Sequence, residues 1–105
     1  MDEIREMTNA QLAKTDEILN ETLSKIKAGS VIKMKAIHHR LLLIMAKYNS
    51  YNHSELDIDI KELDQLRSDI ENVFNDRVKT HQTALCYNNV KHTIGFVQDY
   101  VKTFV

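Results

Sequence analysis

Proline and tryptophan are absent from this chain, glycine occurs only at Gly29 and Gly95, and cysteine only at Cys86. With the strongest helix breakers almost missing, long helices are predicted. A lone cysteine excludes an internal disulfide and fits a reducing, cytoplasmic setting. No long apolar run is present either: the longest, Leu41 to Ala46, is six residues, far short of the ~20 that span a bilayer. The opening residues, Asp2-Glu3-Ile4-Arg5-Glu6, are acidic and amphipathic where an export signal would be basic and then apolar. A formal net charge of −1 gives no overall field that would draw in nucleic acid or anionic lipid.

Motifs that carry chemistry are scarce as well. There is no glycine-rich phosphate loop and no nucleophile motif. Cys86 stands five residues from His81 and six from His92, whereas neighbours on one helical face are three or four apart. His38 and His39 are adjacent and point to different faces. Asp57-Ile58-Asp59 resembles the start of a calcium loop, but Lys61 occupies the next ligand position and the required glycine is missing. No catalytic residue, metal site or cofactor is therefore expected, and the chain is read as a non-enzyme.

What is present points to a fold. Hydrophobic residues make up 43% of the 105 positions and charged ones 28%, which is too apolar for a disordered chain and predicts one folded domain over 1–105. The charges come in four blocks: −4 over 1–24, +6 over 25–50 with no acid, −6 over 51–76 and +3 over 77–105. If the chain reverses once near Ser54, residue i lies opposite roughly residue 108 − i, and each block meets one of opposite sign. Such pairs are worth a few tenths of a kcal/mol each, so their value lies in setting register and orientation.

Periodicity supplies the helices. Steps of three, four and four from Met1 meet Ile4, Thr8, Leu12, Thr15, Leu19, Leu23, Ile26, Ser30, Met34, Ile37, Leu41, Met45 and Tyr48, a stripe that stays on one face of a nearly straight helix. Asn49 to Ser54 is the clearest loop. Asp59 and Glu62 have capping-box spacing, which starts a second helix near Ile60. Its stripe runs Leu63, Leu66, Ile70, Val73, Arg77, Thr80, Ala84, Tyr87, then slips by one residue and resumes at Val90, Ile94, Val97, Val101 and Phe104. The expected fold is all-α, an antiparallel hairpin of two long helices over about 2–49 and 59–104. The alternative breaks them at Gly29-Ser30, with Gly29 ending one helix and Ser30 capping the next, and at Tyr87-Asn89, giving a four-helix bundle. In the hairpin, His92 is expected beside Asp16.

A surplus of apolar side chains bears on function. Beyond its main stripe the 31–48 segment adds Val31, Ile32, Leu42, Leu43 and Ile44, and Phe96, Tyr100 and Val105 lie off the C-terminal stripe. One partner helix cannot cover so much apolar surface, and soluble monomers rarely leave it open. These eight residues are the expected interface for another protein or a second copy of the chain, through which it would act as an assembly subunit, adaptor, chaperone or inhibitor. The other reading is a small nucleic-acid-binding regulator that uses the basic 25–50 segment through Lys33, Lys35, His39 and Arg40. It is disfavoured because those charges spread around the helix without interleaved aromatics.

Overall fold

The computed structural model describes residues 2–75 and 80–105. Met1 and Arg77, which fall on the two predicted stripes, lie outside the described residues. The chain is all-α, with four helices in order: α1 (Asp2–Lys25), α2 (Gly29–Asn49), α3 (Leu56–Asn75) and α4 (His81–Lys102). Each runs antiparallel to the next. They form a bundle in which α2 and α4 also meet across the diagonal while α1 and α3 are held apart. Its principal extents are 38 × 23 × 15 Å and its Cα radius of gyration is 13.6 Å.

The first predicted break is present. Residues 26–28 leave the helix, with extended Ala28 as the N-cap of α2 and its carbonyl accepting from the Val31 and Ile32 amides. Gly29 and Ser30 do not take the capping roles expected of them. Gly29 is the first residue of α2 with an ordinary negative φ, and Ser30 is buried. The second break is not at Tyr87-Asn89, which lies well inside α4. α4 instead starts at His81, after its N-cap Thr80, whose hydroxyl accepts from the Thr83 amide while the Thr83 hydroxyl accepts from the Thr80 amide. This is a reciprocal capping box made by two threonines.

The α1–α4 seam is built from small hydroxyl side chains. Thr8, Thr15 and Thr22 alternate with Leu12 and Leu19 on the buried face of α1. The Thr15 and Thr93 hydroxyls share a hydrogen bond at 2.8 Å, and the Cys86 thiol donates to Thr22 Oγ1 at 3.4 Å. Cys86 is otherwise a small buried apolar residue. Opposite this seam, α2 and α3 are joined by ion pairs. At one end of the bundle the Phe104 ring packs on Tyr48, His53 and Tyr100 with centroids 5.2 to 5.3 Å apart, which holds the last turn of the chain onto the core.

Where α2 ends, Tyr51 adopts φ 59°, a left-handed conformation usually left to glycine or asparagine. Its amide bonds to the Tyr48 carbonyl and the Asn52 amide to the Lys47 carbonyl, the Schellman arrangement. The Tyr51 hydroxyl accepts from Arg5 Nη1 at 2.6 Å, tying the start of α1 to this turn. Glycine at position 51 is expected to be about 1 kcal/mol more stable than alanine there, since both lose the Arg5 contact and only alanine keeps the strain. Urea denaturation of the two variants measures the difference.

Candidate interaction surface

The inward face of α2 is fully used. Val31, Met34, Ile37, His38, Leu41, Ile44, Met45 and Tyr48 are all buried. Its outward face carries a second row, Ile32, Ala36, His39, Leu43 and Ala46, each exposed. The spacing of four, three, four and three keeps these residues in one line along the helix, the pattern of a coiled-coil seam. Ile32 is 55% exposed and Leu43 45%, and Leu42 stands beside the row at 38%. On its α3 side the row borders a groove of about 310 Å³ lined by Lys33, Ala36, Ile37, Asp69, Asn72 and Val73.

The eight residues expected at an interface thus separate by environment. Val31, Ile44 and Tyr100 are buried in the chain's own core and offer no surface. The reason is the fourfold packing: α2 contacts α1, α3 and α4, so a wide sector of it is covered. Phe96 is half-buried in a groove of about 430 Å³ between α3 and α4, beside Arg67, Lys91, His92, Gly95 and Asp99. Val105 is exposed beyond the end of α4, remote in sequence from the α2 row. Ile32, Leu42 and Leu43 alone of the eight come together on the outer face of α2.

Charge along α2 is unevenly neutralised. The Arg40 guanidinium binds Glu62 of α3 through two nitrogens, at 2.6 and 2.9 Å. Lys47 reaches Asp59 at 2.7 Å and Glu55 at 3.3 Å. Burial pulls the Lys47 ammonium down, but the bonds to Asp59 and Glu55 outweigh it and leave its pKa raised. Lys33 and Lys35 lie in no ion pair among the described residues, although Lys35 donates a hydrogen bond to the neutral Asn20 side chain. The C-terminal half of α2 is therefore compensated and its N-terminal half remains positive.

Asp59 does not cap α3, which begins earlier, at Leu56. Its carboxylate is buried and accepts from Lys47 Nζ and from the Tyr48 hydroxyl at 2.8 Å. Burial, then Asp59, pushes the Tyr48 hydroxyl well above the usual phenol range. Capping-box spacing in the sequence thus marked a residue whose role is to join α2 to α3. Asp16 likewise faces α2 and not α4, with its Oδ1 4.0 Å from His38 Nε2, while His92 lines the α3–α4 groove. The two diverge because Thr15 and Thr93 occupy the seam and their neighbours in sequence turn to opposite sides of it.

His38 is the most unusual titratable group. It is fully buried in the core, and among the described residues neither ring nitrogen has a hydrogen-bond partner of good geometry, the Leu12 carbonyl included. Burial pushes its pKa below the ordinary imidazole value, and this outweighs the opposing pull of Asp16 and the Leu12 carbonyl. Among the described residues, no group of three or more His, Cys, Asp or Glu side chains is placed to hold a metal ion, and no helix is long and apolar enough to cross a membrane.

No protein-family model matches the sequence, and comparison with curated proteins and with solved structures returns no match.

Proposed function

We propose that this chain is a non-enzymatic protein that acts by stoichiometric binding of another protein, as an assembly subunit, adaptor, chaperone or inhibitor, through the outer face of α2. The observation that carries the reading is the heptad-spaced row Ile32, Ala36, His39, Leu43 and Ala46, exposed on a helix whose opposite face already supplies the core. An apolar row contributes nothing to a helix in water, and it gains free energy only when covered. That the one cysteine, Cys86, is buried and has no second cysteine to pair with fits a cytoplasmic setting.

The nucleic-acid reading has less support. Arg40 and Lys47 are engaged by Glu62, Glu55 and Asp59 and Lys25 by Glu21, so among the described residues of the 25–50 segment Lys27, Lys33, Lys35 and His39 are what remains for a phosphate backbone. A strip with that little free charge would bind weakly and without aromatic stacking.

The test is retention of a stoichiometric partner by the tagged chain, compared between wild type and Leu43→Glu. Leu43 is exposed, so the variant is expected to keep its helicity and lose at least about tenfold in affinity. Equal retention of the same partner by both proteins would rule out the α2 face.

A further inference from the structure

We infer that the occupant of the outer α2 face is an amphipathic helix of another protein that carries acidic residues beside its apolar stripe. The inference rests on the binding role proposed above and adds the chemistry of the partner.

The row itself sets the shape of the occupant. Ile32 and Leu43 are eleven positions apart on α2, or about 16 Å along the axis, three turns of helix. A helix laid along the row, with apolar residues at the same spacing of four and three, meets it as knobs meet holes. A strand, whose side chains alternate with period two, would place half of them off the row. The groove floored by Ala36, Ile37 and Val73 lies next to Ile32 and is open to receive one larger apolar side chain from the partner.

Charge selects among helices. α2 contains no acid, and of its four cations Arg40 and Lys47 are ion-paired, while Lys33 and Lys35, beside Ile32 and Ala36, have no ionic partner among the described residues. The N-terminus of α2 lies at the same end and adds the positive pole of the helix dipole. Among the described residues that line the groove Asp69 is the one acid, and its carboxylate accepts a hydrogen bond from the Gln65 amide. A helix with Glu or Asp at the flanks of its apolar stripe supplies the charge this end lacks. A second copy does not: two α2 faces packed about a twofold axis would set lysines against a helix equally free of acids, and like charges there are unfavourable.

Three synthetic helix-forming peptides with one shared apolar stripe test the inference, flanked by Glu, by Gln and by Lys. Each is titrated against the full chain by fluorescence anisotropy, with light scattering on the same samples. The expected result is that the Glu-flanked peptide binds at least about tenfold more tightly than the Lys-flanked one. The margin should narrow with added salt, Leu43→Glu should abolish binding, and Lys33→Glu with Lys35→Glu should invert the preference. Equal binding of all three peptides, lost in Leu43→Glu, would overturn the acidic partner and leave the binding role standing. Failure of all three to bind in a Leu43-dependent manner would overturn both. A dimer of this chain that dissociates in Leu43→Glu would identify a second copy as the occupant and overturn the inference as well.

Discussion

Asp59→Ala is expected to lower the stability of the bundle by about 3 kcal/mol. The carboxylate is 1% exposed and is the shared acceptor for Lys47 Nζ and the Tyr48 hydroxyl. Its removal leaves a phenol hydroxyl in the core with no acceptor, and beside it an ammonium on a side chain only 29% exposed. Both groups sit near the C-terminal end of α2, against the start of α3, so the loss falls on the joint between those helices. Asp59→Asn keeps an acceptor for Tyr48 but gives up the ionic bond to Lys47, and a smaller loss is expected. Tyr48→Phe removes the buried donor along with its bond, and about 1 kcal/mol is expected. Urea denaturation with unchanged slope and a shifted midpoint would measure all three. For a domain whose whole stability is about 5–15 kcal/mol, the alanine variant should be visibly unstable at room temperature. If Asp59→Ala unfolded at the wild-type midpoint, the α2–α3 joint would have to be held by apolar packing and the Arg40–Glu62 pair without help from Asp59.

His38→Leu is expected to stabilise the protein by about 2 kcal/mol at neutral pH. The imidazole lies in the core with both nitrogens unsatisfied, and leucine replaces it with an apolar group of similar size. The substitution should also change the pH dependence. Burial holds the folded-state pKa of His38 below its unfolded value of 6.5, despite Asp16 on α1 and with Lys35 and His39 on its own helix acting in the opposite sense to Asp16. The unfolded chain then binds the proton more readily than the folded one. This contribution to stability is complete above the unfolded pKa and is lost as pH falls from there towards the folded value. The loss can reach at most about 1.4 kcal/mol per pH unit for one proton. Thermal melts from pH 8 to pH 5 should show wild type losing stability on the acid side of pH 6.5, with that component missing in His38→Leu. An identical acid-side slope in both proteins would assign the loss to other groups.

The helix pairing was legible because charge and register were written in blocks. The mirror relation about Ser54 places Thr15 against Thr93 and Thr22 against Cys86, and these pairs do touch across α1 and α4. Lys47 with Asp59 falls close to it between α2 and α3, whereas Arg40 pairs with Glu62, six positions from the residue the relation would set opposite it. The −4 and +3 blocks do not pair as written. Among the described residues Lys91 of α4 turns to Glu71 of α3, and no ion pair joins α1 to α4. Threonine hydroxyls hold that seam, and block charge carries no information about them.

The number of helices was harder to read, for a local reason. Neither proline nor glycine marks the reversal before Thr80, and the box that starts α4 pairs Thr80 with Thr83 instead of with an acid. The phase slip near Tyr87-Asn89 was a true signal with the wrong address. The heptad of α3 and the stripe of α4 belong to separate helices, so their phases need not agree, and the mismatch shows only where the second stripe becomes clear. Of the proposed interface, Ile32, Leu42 and Leu43 could be picked from the sequence. Val31 and Ile44 could not be separated from them, because a helix packed on three sides buries apolar residues well off its main stripe. The alanines at 36 and 46, which complete the outer row, carry too little hydrophobicity to stand out.

A compact four-helix monomer that leaves the outer face of α2 open is the expected state in solution. Light scattering coupled to small-angle X-ray scattering over a concentration series tests it most directly. The expected result is a mass of 12.2 kDa at every concentration and a compact particle with a radius of gyration close to the 13.6 Å of the Cα trace. A stable species of twice that mass that dissociates in Leu43→Glu would mean that the chain covers its own α2 face, and an elongated particle would mean that the helices do not fold back into four.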